Sequence, residues 1–205
     1  FIGMILIPLV ASPIVYLSGR LGTHETTLHR RSFLVRGLAL LAILLAWIPF
    51  VLSMQTFLAG ETQEFNIEAI WLRVDGISLL AAAMILTLGT LVIIFSGPYM
   101  AGEVGEEKYY AMLLAMIGLM LGLACSGDLF NLWIWFEGMA ISSYLLVAFY
   151  REQAASLEAG MKYLVQSATG SVLVLMGIAL VLANAGTLDM SGIQAAISRP
   201  EVNRL

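Results

Sequence analysis

Residues 129–150 form an apolar run interrupted by one charge, Glu137. A carboxylate in the middle of a hydrocarbon layer costs at least about 2–3 kcal/mol, so it faces a protein interior or a water-filled cavity and usually pairs. Lys162 is the candidate partner. With the turn between the two runs placed at position 150, Glu137 lies 13 residues before it and Lys162 lies 12 after it. At about 1.5 Å per residue both sit on the order of 18 Å from that turn, at nearly equal depth in adjacent antiparallel helices. Gln166, Thr169 and Gly170 follow Lys162 at helical spacing on one side, with Ser167 and Ser171 flanking them. Ile141 and Tyr144 continue the face of Glu137, beside Ser142 and Ser143. Such a stripe can hold water, and water beside titratable groups makes a proton path. Desolvation favours the neutral forms of the pair and attraction favours the ionised ones, so the proton's place responds to a nearby charge. The alternative is a static buried salt bridge that fixes helix register. Buried pairs stabilise poorly, which favours a functional reading.

These residues must be positioned by membrane helices. Of 205 residues, 60% are hydrophobic and 12% charged, against about 25% charged in soluble domains. Residues 1–19, 37–60, 76–102, 109–127 and 163–188 carry no Asp, Glu, Lys or Arg. A bilayer-spanning helix needs about 20 apolar residues, so six spans are expected, at roughly 1–17, 34–58, 77–98, 109–126, 128–149 and 155–183. The expected fold is an all-α integral membrane protein, one membrane domain over 1–205, with 59–76 as a connection and 184–205 as an outer loop or tail. The first run lacks a basic leader and carries Pro8 and Pro13, unlike a secretory signal. The composition excludes a soluble enzyme, and a net charge of -4 excludes a nucleic-acid partner. A single cysteine, Cys125, excludes an internal disulfide and a thiolate metal cluster.

Arg20, Arg30, Arg31, Arg36, Lys108 and Arg151 fall on one side of the membrane, and Arg73, Arg199 and Arg204 on the other. The excess of positive charge marks the cytoplasmic side, which places the N-terminus outside. Pro49 removes a hydrogen bond within the second span and predicts a kink. Asp128, after Gly127, is the expected N-cap of the fifth helix. Gly118 and Gly122 make a small-residue face suited to close helix packing. Trp133 and Trp135 read as packing residues, and His24 and His29 as solvated loop residues.

Arg73-Val-Asp-Gly-Ile-Ser-Leu-Leu opens the third span, Ser126-Gly-Asp-Leu-Phe-Asn-Leu-Trp-Ile-Trp-Phe-Glu137 opens the fifth, and Glu158-Ala-Gly-Met-Lys162-Tyr-Leu opens the sixth. With Gly186-Thr-Leu-Asp-Met, this set resembles the antiporter-like membrane subunits shared by respiratory complex I, the group 4 membrane-bound hydrogenases and the Mrp cation/proton antiporters. The wording of the fifth span is nearest the branch that holds the Mrp antiporters and the hydrogenases. The resemblance runs from about residue 70 to 192. It implies that Glu137 matches the family's essential glutamate and Lys162 its sixth-helix lysine, in a half-channel reached from the cytoplasm. Family members have about fourteen helices in two inverted repeats, so six helices make a partial bundle: a fragment, or a split subunit completed by another chain.

The leading expectation is a proton-translocating subunit of a redox-driven complex in the cell's inner membrane. Its partners would be other membrane subunits, lipid and protons, with Na+ as the alternative cargo. It would hold no metal or cofactor itself and would serve as a non-redox subunit of an oxidoreductase of the NADH:quinone or hydrogenase type. The alternatives are an Mrp-type Na+/H+ antiporter subunit and a structural membrane subunit that transports nothing.

Overall fold

The computed structural model describes residues 1–21, 28–67 and 70–198. Its order is α1 (Ile2–Leu21), α2 (Leu28–Leu58), β1 (Gln63–Ile67), β2 (Ile70–Val74), α3 (Gly76–Met100), α4 (Glu106–Ala124), α5 (Leu129–Val147), α6 (Ala154–Ala185) and α7 (Met190–Ile197). Helices α1 to α6 are long and apolar enough to cross a membrane. Hydrocarbon offers no partner to a backbone amide or carbonyl, so each crossing segment must close its hydrogen bonds within its helix or onto another part of the protein.

Helices α1 to α4 form the packed core. Met4, Ile5 and Val15 of α1 meet Val35 and Ile43 of α2, Leu79, Leu86 and Ile93 of α3, and Leu114 and Leu121 of α4. A Cβ on Gly118 would stand 2.7 Å from Leu9 Cγ, so this glycine lets α1 approach α4. A Cβ on Gly122 would stand 2.5 Å from the Trp135 ring, so the same helix also admits α5. Half of the apolar window of α4 is buried, against 11% for α6, which lies at the edge against α5.

Prolines inside spans leave carbonyls without amides. At Pro98 the orphan is the Ile94 carbonyl, and Arg36 Nη2 donates to it at 2.8 Å. Gly97 makes this possible, since a Cβ there would lie 2.0 Å from Arg36 Nη1. At Pro49 the helix α2 continues unbroken to Leu58, and the Pro49 carbonyl accepts from Ser53 Oγ at 2.8 Å.

Three features differ from expectation. Residues 59–76 contain an antiparallel hairpin, with Gln63 opposite Val74 and Phe65 opposite Leu72. Its five-residue strands are too short for periodicity to separate them from a loop. The segment expected as a tail contains α7, capped by Asp189, whose carboxylate accepts the Gly192 amide at 2.7 Å. Glu106 and Glu107, expected in a loop, lie in the first turn of α4 and are buried. Glu106 Oε1 accepts from Ser32 Oγ at 2.8 Å, and Gly19 leaves the room that Glu107 fills. His24 lies outside the described residues.

Extended backbone ties the hairpin end of the bundle together. Arg73 N donates to the Cys125 carbonyl at 2.7 Å, and Gly127 N donates to the Trp71 carbonyl at 2.9 Å. Leu129 N donates to the Leu188 carbonyl at 3.0 Å, beside an Asp128–Asp189 bridge. The turn that starts α5 is thus held between the hairpin and the α6–α7 connection.

Two of these contacts can be tested directly. Arg36→Ala should lower stability by about 1–3 kcal/mol, because losing a charged donor leaves a carbonyl orphaned. In a Pro98→Ala background, where residue 98 regains its amide, the same change should cost clearly less; a double-mutant cycle on thermal unfolding in detergent reads the difference. The second test concerns acid. Burial pushes the Asp75 carboxyl up, but the Ser78 amide and hydroxyl, the Ile77 amide and the Arg73 charge together outweigh it and hold it below the usual value. A depressed carboxylate contributes stability above the unfolded value of about 3.9, lost as pH falls toward the lower folded value. Unfolding midpoints should therefore be flat above about pH 5 and drop below about pH 4. Asp75→Asn, which keeps the cap without the titration, should lessen that drop.

Candidate functional site

Helix α5 begins where Asp128 accepts the Phe130 and Asn131 amides at 2.9 and 2.8 Å, satisfying donors that the helix start leaves open. Asn131 Nδ2 also donates to the Asp128 carboxylate. From this fixed start Glu137 lies nine residues along, about 13 Å into a helix about 28 Å long. It is therefore at mid-depth. Its side chain is half-buried and faces α6, where Ser171 Oγ donates to Glu137 Oε2. Trp133, one turn earlier on the same face, donates its indole Nε1–H to Ser171 Oγ at 2.8 Å. Trp133 also stacks on Phe130, with centroids 5.9 Å apart.

The register of α5 against α6 explains the partner. Ser156 Oγ donates to the Val147 carbonyl at 2.9 Å. A Cβ on Gly160 would lie 2.6 Å from the Ala148 Cβ, so Gly160 and Ala148 are in close contact. These contacts move the centre of the turn from 150 toward 154, the midpoint of Gly160 and Ala148. Stepping along from Gly160–Ala148, Lys162 comes level with the last turns of α5, near Tyr144, and Glu137 comes level with Ser171. The two expected partners are therefore nine residues apart along α6, about 13 Å.

The expected Glu137–Lys162 pair is accordingly corrected. Lys162 Nζ lies 2.5 Å from Glu158 Oε1, one turn earlier on its own helix. Both side chains are mostly exposed, at 74% and 66%. Helix α6 has 32 residues, about 48 Å, and overhangs a hydrocarbon layer about 30 Å thick. Lys162 thus stands near the layer's edge, where a long side chain reaches water.

The other expected pathway residues divide into two tracks. Ser167 is half-buried on the stripe that includes Gly160 and Ser171 and packs on α5. Gln166 and Thr169 are exposed on the outward face with Lys162, and Thr169 Oγ1 donates back to the Val165 carbonyl at 2.8 Å. Ser142 is buried and its hydroxyl donates to the Gly138 carbonyl at 3.3 Å. Ser143 donates to the Met139 carbonyl at 2.9 Å and approaches Met116 Sδ of α4 at 3.5 Å. Tyr144 is half-buried, its carbonyl facing Gly160. Trp133 and Ser171 are the contacts that sequence reasoning underweighted. The signal was available: Trp133 precedes Glu137 by four, and Gly160, Ser167, Ser171 and Ile178 recur at spacings of seven, four and seven.

Known proteins share this architecture. Residues 61–110 match the family described as NADH-Ubiquinone oxidoreductase (complex I), chain 5 N-terminus. Residues 126–204 match the family described as NADH:quinone oxidoreductase/Mrp antiporter, TM. The Na(+)/H(+) antiporter subunit A1 of Staphylococcus haemolyticus (strain JCSC1435) is 34% identical over 110 residues, 54% of this chain and 14% of that one. NADH-quinone oxidoreductase subunit N of Acidithiobacillus ferrooxidans is 36% identical over 107 residues, 51% of this chain and 22% of that one. A chain of the membrane-bound sulfane sulfur reductase, an archaeal respiratory membrane complex, superposes with a TM-score of 0.80 at 25% identity, covering 98% of this chain and 40% of that one. The chain thus spans well under half the length of each of these relatives. The two family matches together take in more than half of its own residues, and the chain belongs to the antiporter-like membrane subunit family shared by complex I and the Mrp antiporters.

Proposed function

We propose that this chain supplies the glutamate side of a proton-translocating path in an antiporter-like subunit of a redox-driven membrane complex. The observation that carries the reading is Glu137, a carboxylate at mid-depth in α5 whose acceptor oxygen is met by a hydroxyl on α6. An acid held this way keeps a hydrogen-bond partner whether or not it carries its proton. Lys162 with Glu158 stands at the mouth, near the membrane edge, and Ser167 leads inward along the face of α6 that carries Ser171, while Gln166 and Thr169 lie on its outward face. With the N-terminus outside, that mouth opens to the cytoplasm of a cell whose inner membrane holds the complex. In this reading the redox centres belong to other subunits, and further helices, from this polypeptide or another, continue the path beyond Glu137.

A second reading is exchange of H+ for Na+ without electron transfer, favoured by the Na(+)/H(+) antiporter relative. Cation movement in vesicles holding no electron donor supports exchange; movement that requires the donor supports the redox-driven complex. Mass spectrometry of the complex purified on this chain checks the same division, since flavin or iron–sulfur subunits mark the redox form. In either case Glu137→Gln, which keeps the shape and removes the titration, should abolish proton movement while the subunit still assembles. Proton movement at the parent rate in Glu137→Gln would leave only the structural-subunit reading.

A further inference from the structure

Three hydroxyls on α5 and α6 turn back onto their own helix. Ser142, Ser143 and Thr169 each donate to the carbonyl four residues earlier. Ser171 instead points across the interface, and its two bonds have a fixed direction. An indole N–H can only donate, so the Trp133 contact at 2.8 Å occupies a lone pair of Ser171 Oγ. The single Ser171 proton is then left to donate to Glu137 Oε2. A hydroxyl restricted to donating binds a carboxylate more strongly than a neutral carboxyl, because the bond to the charged form is charge-assisted. Ser171 is itself buried, so water does not compete for either bond.

We propose that Trp133 and Ser171 are positioning residues that hold Glu137 as the ionised proton acceptor between transfers. The proposal rests on Glu137 being the proton carrier described above. Protonation at Oε2 requires the Ser171 hydroxyl to swing away, to the Ser167 carbonyl one turn earlier, while its freed lone pair accepts from the new carboxylic O–H. No proton is lost or gained by Ser171 in that exchange. The relay therefore sets a preference for direction without joining the path. Within this chain, titratable groups on the neighbouring helices are few and distant. Helix α4 carries no titratable side chain from Ala111 to Ala124, and α6 none from Leu164 to Ala185. On α6 the nearest are Tyr163, Lys162 and Glu158, eight to thirteen residues before Ser171; on α5 they are Tyr144 and Asp128, seven and nine from Glu137.

The test uses the full subunit in its assembled complex, reconstituted in liposomes containing a pH-indicating dye. Proton movement is followed across pH, together with the infrared carboxylic C=O signal assigned by its loss in Glu137→Gln. Ser171→Ala and Trp133→Phe each remove one donor. In each, the acidic limb of the transport profile and the disappearance of the carboxylic signal should move to higher pH, by about one unit. Ser171→Thr, which keeps the hydroxyl, should restore the parent profile. Profiles that superimpose on the parent's in both donor-loss variants overturn the relay. If Ser171→Ala does not assemble, Trp133→Phe decides alone, since it keeps an aromatic ring and loses the N–H. Loss of transport in Glu137→Gln with no shift in the donor-loss variants defeats the relay and leaves the function standing. Transport that survives Glu137→Gln defeats both.

Discussion

Hydrocarbon supplies no hydrogen bonds, and the whole molecule is arranged around that shortage. Its sharpest instance is Glu137, a carboxylate at mid-depth that the protein itself must solvate. Ser171 does this, backed by Trp133. That contact requires α5 to start at the right level and α6 to lie at the right register. The first requirement is met by Asp128 as cap and by the strand-like hydrogen bonds from Trp71, Arg73 and Leu188 that hold the α4–α5 turn. The second is met by Gly160, whose missing side chain lets α6 settle against Ala148.

The same shortage is handled the same way elsewhere. Pro98 denies the Ile94 carbonyl its amide, and Arg36 reaches across from α2 to replace it. Glu106, buried in the first turn of α4, accepts from Ser32 of α2. Asp75, at the start of α3, accepts from both the amide and the hydroxyl of Ser78. In each case an acceptor is met by a donor from a nearby segment. The small residues Gly19, Gly97, Gly122 and Gly160 stand where approaches between helices are closest.

What was legible in the sequence follows from the range of the forces involved. Six uncharged runs predict six spans because burial in lipid depends on composition alone. The Asp128 cap was readable because capping acts within three residues. The partner of Glu137 was not, because it depends on where a turn is centred, and a shift from 150 to about 154 moves the facing residue on α6 by about eight positions. Nothing local reports that shift; it comes from Gly160 packing on Ala148, twelve residues apart in sequence. The hairpin escaped notice for a related reason, since its five-residue strands gain definition from bonds to Cys125 and Gly127.

A serine rather than a lysine beside Glu137 also changes what the site can do. A buried ion pair is deepest in energy when both groups are charged, and neutralising either one strands the other. A hydroxyl lessens that penalty, because it donates to a carboxylate, its favoured role beside Trp133, and can turn to accept from a carboxylic acid. Glu137 can thus change protonation state while its neighbour only rotates. Lys162, kept near the membrane edge with Glu158, holds its charge where water can reach it. In the proposed path, fixed charges at the mouth and a reorientable dipole at mid-depth would keep the deep site switchable.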